Sequence, residues 1–327
     1  MKAWQVTRLG APVDALRLVE LDDPAPGPGQ LLVRVGGAAL SYPDALLCRG
    51  EYQVKPEPPF TLGVEAAGEV VAVGEGVTDF VVGQRVLGMT ASGGLAELAL
   101  FEAAHAFPSP DALDDAEAAA LHMNHQTAHF ALHHRAGLRR GETVLVHAGA
   151  GGVGSATIQL GKAAGATVIA VVGGPAKAAV ARDLGADVVV DRLTDDFVAV
   201  VKEHTAGRGA DIVVDPVGGD TFARSTKCVA FEGRIVIVGF TSGEFGALAT
   251  NHALIKNYSV VGLHWGMYRF RDPALVREVQ DALDELVAAG SLRPLVSERL
   301  AMADAPEGIT RLYEGRTVGR VVVSPAH

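Results

Sequence analysis

The stretch Val144–Leu160, VLVHAGAGGVGSATIQL, decides how the chain is read. Thr143 to His147 is an apolar run that reads as a buried parallel strand. Four of the next residues, Gly149, Gly151, Gly152 and Gly154, are glycines packed into a hexapeptide. Helical periodicity then begins, with Val153, Ala156, Thr157 and Leu160 on one face. Gly149, Gly151 and Gly154 have the G-x-G-x-x-G spacing. Glycine has no side chain to hold a ligand off the backbone, and the free N–H groups of a new helix face an anion. A turn of this kind between a strand and a helix predicts a pyrophosphate cradle. The alternative is a tight strand–helix turn that binds nothing.

Working outward, apolar runs alternate with helical patterns. Strands are expected at 143–147, 167–172, 187–190, 211–214, 234–238 and 258–263. Helices are expected at 153–165, 175–184, 194–205 and 220–230. Six such strands imply an α/β, doubly wound parallel sheet of the Rossmann type over 123–266. The chain before it reads differently. Lys2–Val6, Leu16–Glu20, Gln30–Val35, Glu65–Val73, Gln84–Gly88 and Gly94–Leu100 are short strand candidates separated by Gly/Pro turns. They predict a compact barrel-like β domain, interrupted by a helical turn near Ser41–Cys48. A long helix, Pro273 to Ala289, follows the sheet, and Val318–Val323 is expected to return to the first domain. The domain reading is therefore 1–122 with 267–327, and 123–266.

The 327 residues carry a net charge of -10, which disfavours nucleic acid or an anionic membrane as partner. Cys48 and Cys228 are the two cysteines, far apart, so no disulfide framework is implied and a reducing compartment fits. The start, MKAWQVTRLG, has no signal-like apolar segment, and no apolar run reaches membrane-spanning length. A soluble cytoplasmic protein is expected.

In a sheet of this type that binds NAD, an acid at the end of the second strand bonds the ribose 2′-hydroxyl. Here the strand ends Val171-Val172-Gly173-Gly174, with no acid. Lys177 opens the next helix and Arg192 follows the third strand, so NADPH is expected, its 2′-phosphate paired with these cations. Ordinary surface charge is the alternative for both. His122, His125, His129 and His133 fall at helical spacing, but without Cys or acidic support they read as polar or core-edge contacts before they read as a metal site. The expected metal content is none.

Several segments together resemble one family: Tyr52–Pro56, Pro59–Glu65, Val70–Val77, His147–Gly154, Asp215–Gly219 and Asn257–Gly262. The chain resembles the zinc-free, zeta-crystallin-like quinone oxidoreductase branch of the medium-chain dehydrogenase/reductases, over nearly its whole length. Zinc-dependent relatives carry a ligand Cys near Tyr42-Pro43-Asp44 and a Gly-His-Glu where this chain has Gly63-Val64-Glu65; neither ligand is present. The resemblance implies a GroES-like domain beside the dinucleotide domain, with the active site in the cleft between them. It also implies a homodimer joined along sheet edges, with 234–238 and 258–263 as edge material. It places Ser41, Tyr42 and Thr127 near the nicotinamide and Gly151, Gly152 and Val153 on the pyrophosphate. Val217, Gly239, Phe240, Leu263, His264, Trp265 and Arg320 are implied for the rest of the cofactor groove. Family members often carry Asn where this chain has Ser41.

Hydride transfer demands alignment of donor and acceptor with water held back. A quinone accepts readily, whereas an activated alkene also needs a proton. Tyr52 is the first candidate to face the acceptor, with Tyr42 and Asp44 behind it; Asp44 reads foremost as a helix cap. The leading expectation is an NADPH-dependent quinone oxidoreductase acting on a quinone or similar electron-poor acceptor. A reductase of enones, 2-alkenals or enoyl thioesters is the nearest alternative, and a non-catalytic nucleotide- or RNA-binding protein the third.

Overall fold

The structure, a computed structural model, describes residues 1–91 and 93–325. The chain forms β1 (Lys2–Val6), β2 (Leu16–Glu20), β3 (Gln30–Ala39), β4 (Phe60–Thr61), β5 (Glu65–Val73), β6 (Arg85–Thr90) and β7 (Leu98–Pro108). After a helix at Asp115–His129 come β8 (Thr143–Val146), β9 (Thr167–Val172), β10 (Val188–Asp191), β11 (Ala210–Asp215), β12 (Val229–Ile237) and β13 (Ser259–Gly262). The helix Pro273–Ala288 leads to β14 (Val296–Ala301), a helix at Ala305–Tyr313, and β15 (Arg320–Ser324). These elements divide into two units, one of Met1–Met123 with the chain from Gln280 onward, the other Asn124–Val279.

In the second unit the strand order is β10-β9-β8-β11-β12-β13, and every pairing is parallel. β8 is buried along its whole length, which explains a run without alternation: both faces of a central parallel strand are covered. Leu145, Ile169, Val171, Val190, Val213 and Ile235 form the core. The helices lie at Gly152–Ala163, Pro175–Asp183, Phe197–His204 and Gly219–Ser225. Two differ from the sequence expectation. The helix expected from 194 starts at Phe197, because Asp195 accepts from the Asp191 N–H in a turn and Asp196 caps the helix by accepting from the Val198 N–H. The helix expected over 220–230 stops at Ser225, and β12 begins at Val229, passing a left-handed Glu232 at φ 57°. β12 is an interior strand, paired to β11 and β13; only β13 of the two expected edge segments lies at an edge.

The first unit holds the barrel-like sheet, ordered β14-β15-β3-β5-β6-β7, with β7 also pairing to β3. A small sheet, β2-β1-β4, belongs to the same unit. Leu31, Val33, Val35, Val70, Val86, Phe101, Val321 and Val323 share one core. β15 returns to pair with β3 at Val322–Ala39 and Val323–Ala38, as the sequence suggests. The strand expected at 94–100 is shifted to Leu98–Pro108, and β14 and the helix Ala305–Tyr313 have no counterpart in the sequence reading.

The second crossing between units falls at 279/280, inside the helix Pro273–Ala288, and not at 266/267. Aromatic and amide contacts hold the intervening segment. Tyr268 packs against Phe130 at 4.6 Å and His134 at 5.4 Å between ring centroids, and Gln126 Nε2 donates to the Val276 carbonyl at 2.9 Å. Among the described residues, no helix is long and apolar enough to cross a membrane.

His147, at the end of β8, is buried against the Phe197 ring, with Nε2 2.8 Å from Ser225 Oγ. The Ser225 hydroxyl donates to the Thr221 carbonyl, so the imidazole Nε2–H is the donor between them. Burial, then the nearby Arg224, pushes its pKa from 6.5 down to about 3. Because the unfolded chain takes up this proton first, the stabilisation is complete above pH 6.5 and is lost progressively as pH falls towards the folded value. At pH 5 this histidine should cost about 2 kcal/mol of folding stability relative to neutral pH. Urea unfolding of wild type and H147Q at both pH values tests this: the acid-side loss should shrink by about that amount in the variant.

Candidate functional site

The second unit's sheet reverses its strand order between β8 and β11, so the loops leaving these two strands diverge and open a crevice at their carboxyl ends. Ala148 leaves β8 in the left-handed region at φ 51°. The glycines that follow have different tasks. A Cβ on Gly154 would stand 2.1 Å from the Ala148 carbonyl oxygen, and one on Gly149 would stand 3.0 Å from the Ala170 Cβ. These two serve close packing of turn, helix and strand. A Cβ on Gly152 would meet Asn124 Nδ2 at 2.6 Å. Gly151 has φ -89°, which any residue adopts, and its Cβ would meet only the Ala148 oxygen, at 3.2 Å. That contact is tight but less severe than the one at Gly154, and the bare Gly151 backbone is a surface that a ligand can approach closely.

The Gly149 and Gly151 N–H groups are already donated, to the Val171 and Ala148 carbonyls. Among the described residues, no side chain caps the helix Gly152–Ala163. Its first N–H groups, on Gly152 and Val153, therefore point out of the helix end without an intrahelical acceptor. Of the three residues expected on the pyrophosphate, Gly151 offers bare surface, and Gly152 and Val153 offer the donors.

At the tip of β9, Gly173 and Gly174 carry no acid. Asp191, at the end of β10, comes near, but its carboxylate accepts from the Gly174 and Leu193 N–H groups at 2.9 and 3.1 Å, which hold it below the usual range. Arg192 lies over Gly173, where an added Cβ would meet its Nε at 3.1 Å. Partial burial and the Arg192 charge both pull the Lys177 pKa down. Of the two cations expected to share a phosphate, Arg192 thus lies against Gly173, and Lys177, in the first turn of the next helix, feels its charge.

Beyond β11, the buried Asp215 accepts from the Val217 and Gly218 N–H groups at 2.8 and 3.0 Å, shaping the turn that carries Val217. Burial pushes this carboxyl up against those two bonds. Sequence reasoning missed Asp215 as a site-shaping residue; the signal was its place at the head of the Asp215-Pro216-Val217-Gly218-Gly219 motif, where a carboxylate can tie down its own turn. Gly239 and Phe240 follow β12, with the Phe240 ring edge-on to Phe245 at 4.8 Å. Leu263 and Trp265 are buried after β13, while His264 is exposed. Thr127 is buried on the helix Asp115–His129.

In the first unit, Ser41 precedes the helix Tyr42–Arg49 in a capping box: its N–H and hydroxyl both donate to Asp44 Oδ2, at 2.8 and 2.6 Å. Asp44 is the helix cap that the sequence suggests, and it is fully buried. Burial raises its carboxyl pKa against the Ser41 bonds and the Arg320 charge. Glu65 is buried too. It pairs with the Arg320 guanidinium and accepts the Met123 N–H at 3.0 Å. Burial pushes the Glu65 carboxyl up, and Arg320 and Met123 pull it back. Arg320 is therefore a buried residue of the first unit that pairs with Glu65. Tyr42 stacks on Tyr313 at 5.5 Å, and Arg49 lies 4.8 Å over the Tyr313 ring. The Tyr42 ring face is engaged within its own unit. Tyr52 is half-buried in the irregular stretch 51–59.

The donor set does not fit a catalytic zinc. Position 64 is Val, which has no donor atom, and Glu65 is taken by Arg320. Among the described residues, no three His, Cys, Asp or Glu side chains are grouped to share a metal. His122 Nδ1 lies 2.8 Å from Gln280 Oε1, and the His129 and His133 rings pack at 4.5 Å. Burial, with His133 adding, pushes the His129 pKa down to about 4.

Residues 27–111 match the family described as alcohol dehydrogenase GroES-like domain, and residues 152–285 match zinc-binding dehydrogenase. The quinone oxidoreductase-like protein 2 homolog of Nematostella vectensis is 38% identical over 301 residues, 91% of this chain and 82% of that protein. The crystal structure of Escherichia coli quinone oxidoreductase complexed with NADPH superposes with a TM-score of 0.93 at 29% identity, covering 99% of this chain and 100% of the other. The CurK enoyl reductase superposes at 0.89 and 26% identity, covering 99% and 98%.

The division of labour among the glycines is testable. Gly154→Ala should lower stability by roughly 3 kcal/mol, since the clash is with backbone. Gly151→Ala should keep thermal stability within about 1 kcal/mol of wild type while weakening dinucleotide affinity roughly tenfold by calorimetry.

Proposed function

Because the chain belongs to the medium-chain dehydrogenase/reductase superfamily, among its quinone oxidoreductase-like members, we propose that it uses NADPH to reduce a quinone or similar electron-poor acceptor by hydride transfer. The Escherichia coli relative is complexed with NADPH in its crystal structure, which supports the cofactor. So does the fit of this chain's own residues: bare Gly151, outward N–H groups on Gly152 and Val153, and the Lys177–Arg192 pair beside Gly173 and Gly174.

When bound, NADPH supplies the hydride. The chain binds and orients. Gly152 and Val153 N–H groups would neutralise the pyrophosphate, Lys177 and Arg192 would take the 2′-phosphate, and the turn held by Asp215 would set Val217 against the coenzyme. Thr127, Gly239, Phe240, Leu263, His264 and Trp265 complete the proposed groove. Ser41 and Tyr42 are assigned to the nicotinamide side on the family resemblance. The Ser41 hydroxyl proton is given to Asp44, so Ser41 can only accept from a ligand.

The observation that carries the acceptor class is the donor-free Val64 beside a Glu65 already paired with Arg320. Without metal ligands at this place a Lewis acid is not offered to an alcohol or carbonyl oxygen, and an acceptor that is already electron-poor suits such a site. A quinone meets that need. Tyr52 is proposed to face it, the ring against a flat acceptor and the hydroxyl bonding to its oxygen. Likeness to an enoyl reductase favours a second reading, reduction of an activated alkene, which adds a demand for a proton donor. We also propose a homodimer through β13, which among the described residues pairs with β12 alone. A reducing, cytoplasmic setting suits the two buried, free cysteines.

Exchanging Lys177 for Glu should raise KM for NADPH roughly tenfold or more while leaving KM for NADH near its starting value. Equal changes for both coenzymes would remove Lys177 from the phosphate. Oxidation of NADPH followed optically should be fast with a 1,4-quinone, slower with an enone, and absent without acceptor; turnover with the enone alone would overturn the quinone assignment.

A further inference from the structure

A second concave region of the dinucleotide unit shares no residue with the crevice after β8. It encloses about 540 Å³ between the end of the helix Phe197–His204, the turn before β11, the start of β12 and the helix Thr250–Lys256. Lys202, Arg208, Lys227, His252 and Lys256 line it, and among the described residues no carboxylate does. This is a concentration of positive charge on a chain whose net charge is -10.

The cations repel one another. Burial first, then Lys202 and Lys227, lowers the Lys256 pKa; burial, Lys227 and Lys256 lower that of His252. Lys256 is fixed in place by donating to the Thr226 and Val229 carbonyls at 2.9 and 3.1 Å. His252 Nδ1 lies 3.2 Å from the Tyr258 hydroxyl. Arg208 has Asp211 as its partner, so its charge is partly met. A place in the last turn of a helix explains Lys202 and Lys256 singly, because cations are favoured there. It does not explain why both converge with Lys227 and His252 on one cavity.

Two further lining residues narrow the ligand. Cys228 is buried, and burial, outweighing the surrounding lysines, pushes its thiol up to about 12, so thiolate chemistry has no place here. Phe231 lines the same cavity and is 67% exposed, a large apolar ring left in water at the mouth of a cationic pocket. An anion against the lysines and a flat ring against Phe231 satisfy both features.

We propose that this cavity binds a nucleoside polyphosphate, its phosphates held by Lys202, Lys227 and Lys256 and its base on Phe231, at a place separate from the dinucleotide cradle. The triphosphate chemistry is shared with inorganic polyphosphate, and the two sources are separable. Sodium tripolyphosphate and ATP would be titrated calorimetrically into the full-length protein, with and without saturating NADPH. Both ligands should bind in the presence of NADPH, ATP the more tightly. The K202E/K227E double variant should weaken both by at least roughly tenfold while still oxidising NADPH, a check on its folding. F231A should weaken ATP and leave tripolyphosphate unchanged. Absence of binding in the NADPH-saturated protein, or undiminished binding in the double variant, would overturn the site. Equal affinity for the two ligands, unchanged in F231A, would overturn the nucleoside assignment.

Discussion

The close approach of the Gly154 Cα to the Ala148 carbonyl is the constraint around which the dinucleotide unit is arranged. It brings the helix Gly152–Ala163 directly against the end of β8, the strand at which the sheet reverses its order. Gly149 allows the same closeness towards Ala170 on β9. Interiors pack too densely for a methyl group to be absorbed there, so two glycines are required by the fold alone. One consequence is chemical. A helix pressed this tightly against its strand aims its unsatisfied N–H groups into the crevice, and Gly151 leaves them reachable.

Polar groups elsewhere hold this geometry by spending their charge on the backbone. Asp191 ties Gly174 and Leu193, Asp215 ties Val217 and Gly218, and Asp196 caps a helix. The carboxylates of Asp191 and Asp215, at the ends of their strands, are thereby engaged with N–H groups, and the positive charge of Lys177 and Arg192 defines the tip of β9.

The first unit solves a different problem. Burying Glu65, Asp44 and Arg320 together is costly unless they are paired and hydrogen-bonded: Glu65 pairs with Arg320, and Asp44 Oδ2 accepts two bonds from Ser41 while its Oδ1 is left without a partner. The Glu65–Arg320 pair joins β5 to β15, pinning the returning end of the chain to the barrel. The same commitment removes Glu65 as a metal ligand, and Val64 supplies nothing in its place.

The order of strands and helices from β8 to β11, and the glycine turn after β8, were legible because their signals are local. Buried parallel strands are continuous apolar runs, and a glycine turn between strand and helix has few other uses. The missing acid after β9 was legible for the same reason. Where the sequence misled, the deciding contact was distant. The segment 267–279 belongs with the dinucleotide unit because Tyr268 meets Phe130 and Gln126 meets Val276, pairs more than a hundred residues apart. The Glu65–Arg320 pair was not legible either, because no local pattern announces a partner 255 residues away. The basic cavity was invisible for a like reason: Lys202, Lys227 and Lys256 each read as surface charge until the fold brought them to one wall. The sequence by itself determined most of the secondary structure and the glycine turn between β8 and the helix after it, which are set by neighbours along the chain. Only the tertiary structure decided which charges are spent on the fold and which gather around a cavity, because pairing depends on distances that the linear order does not contain.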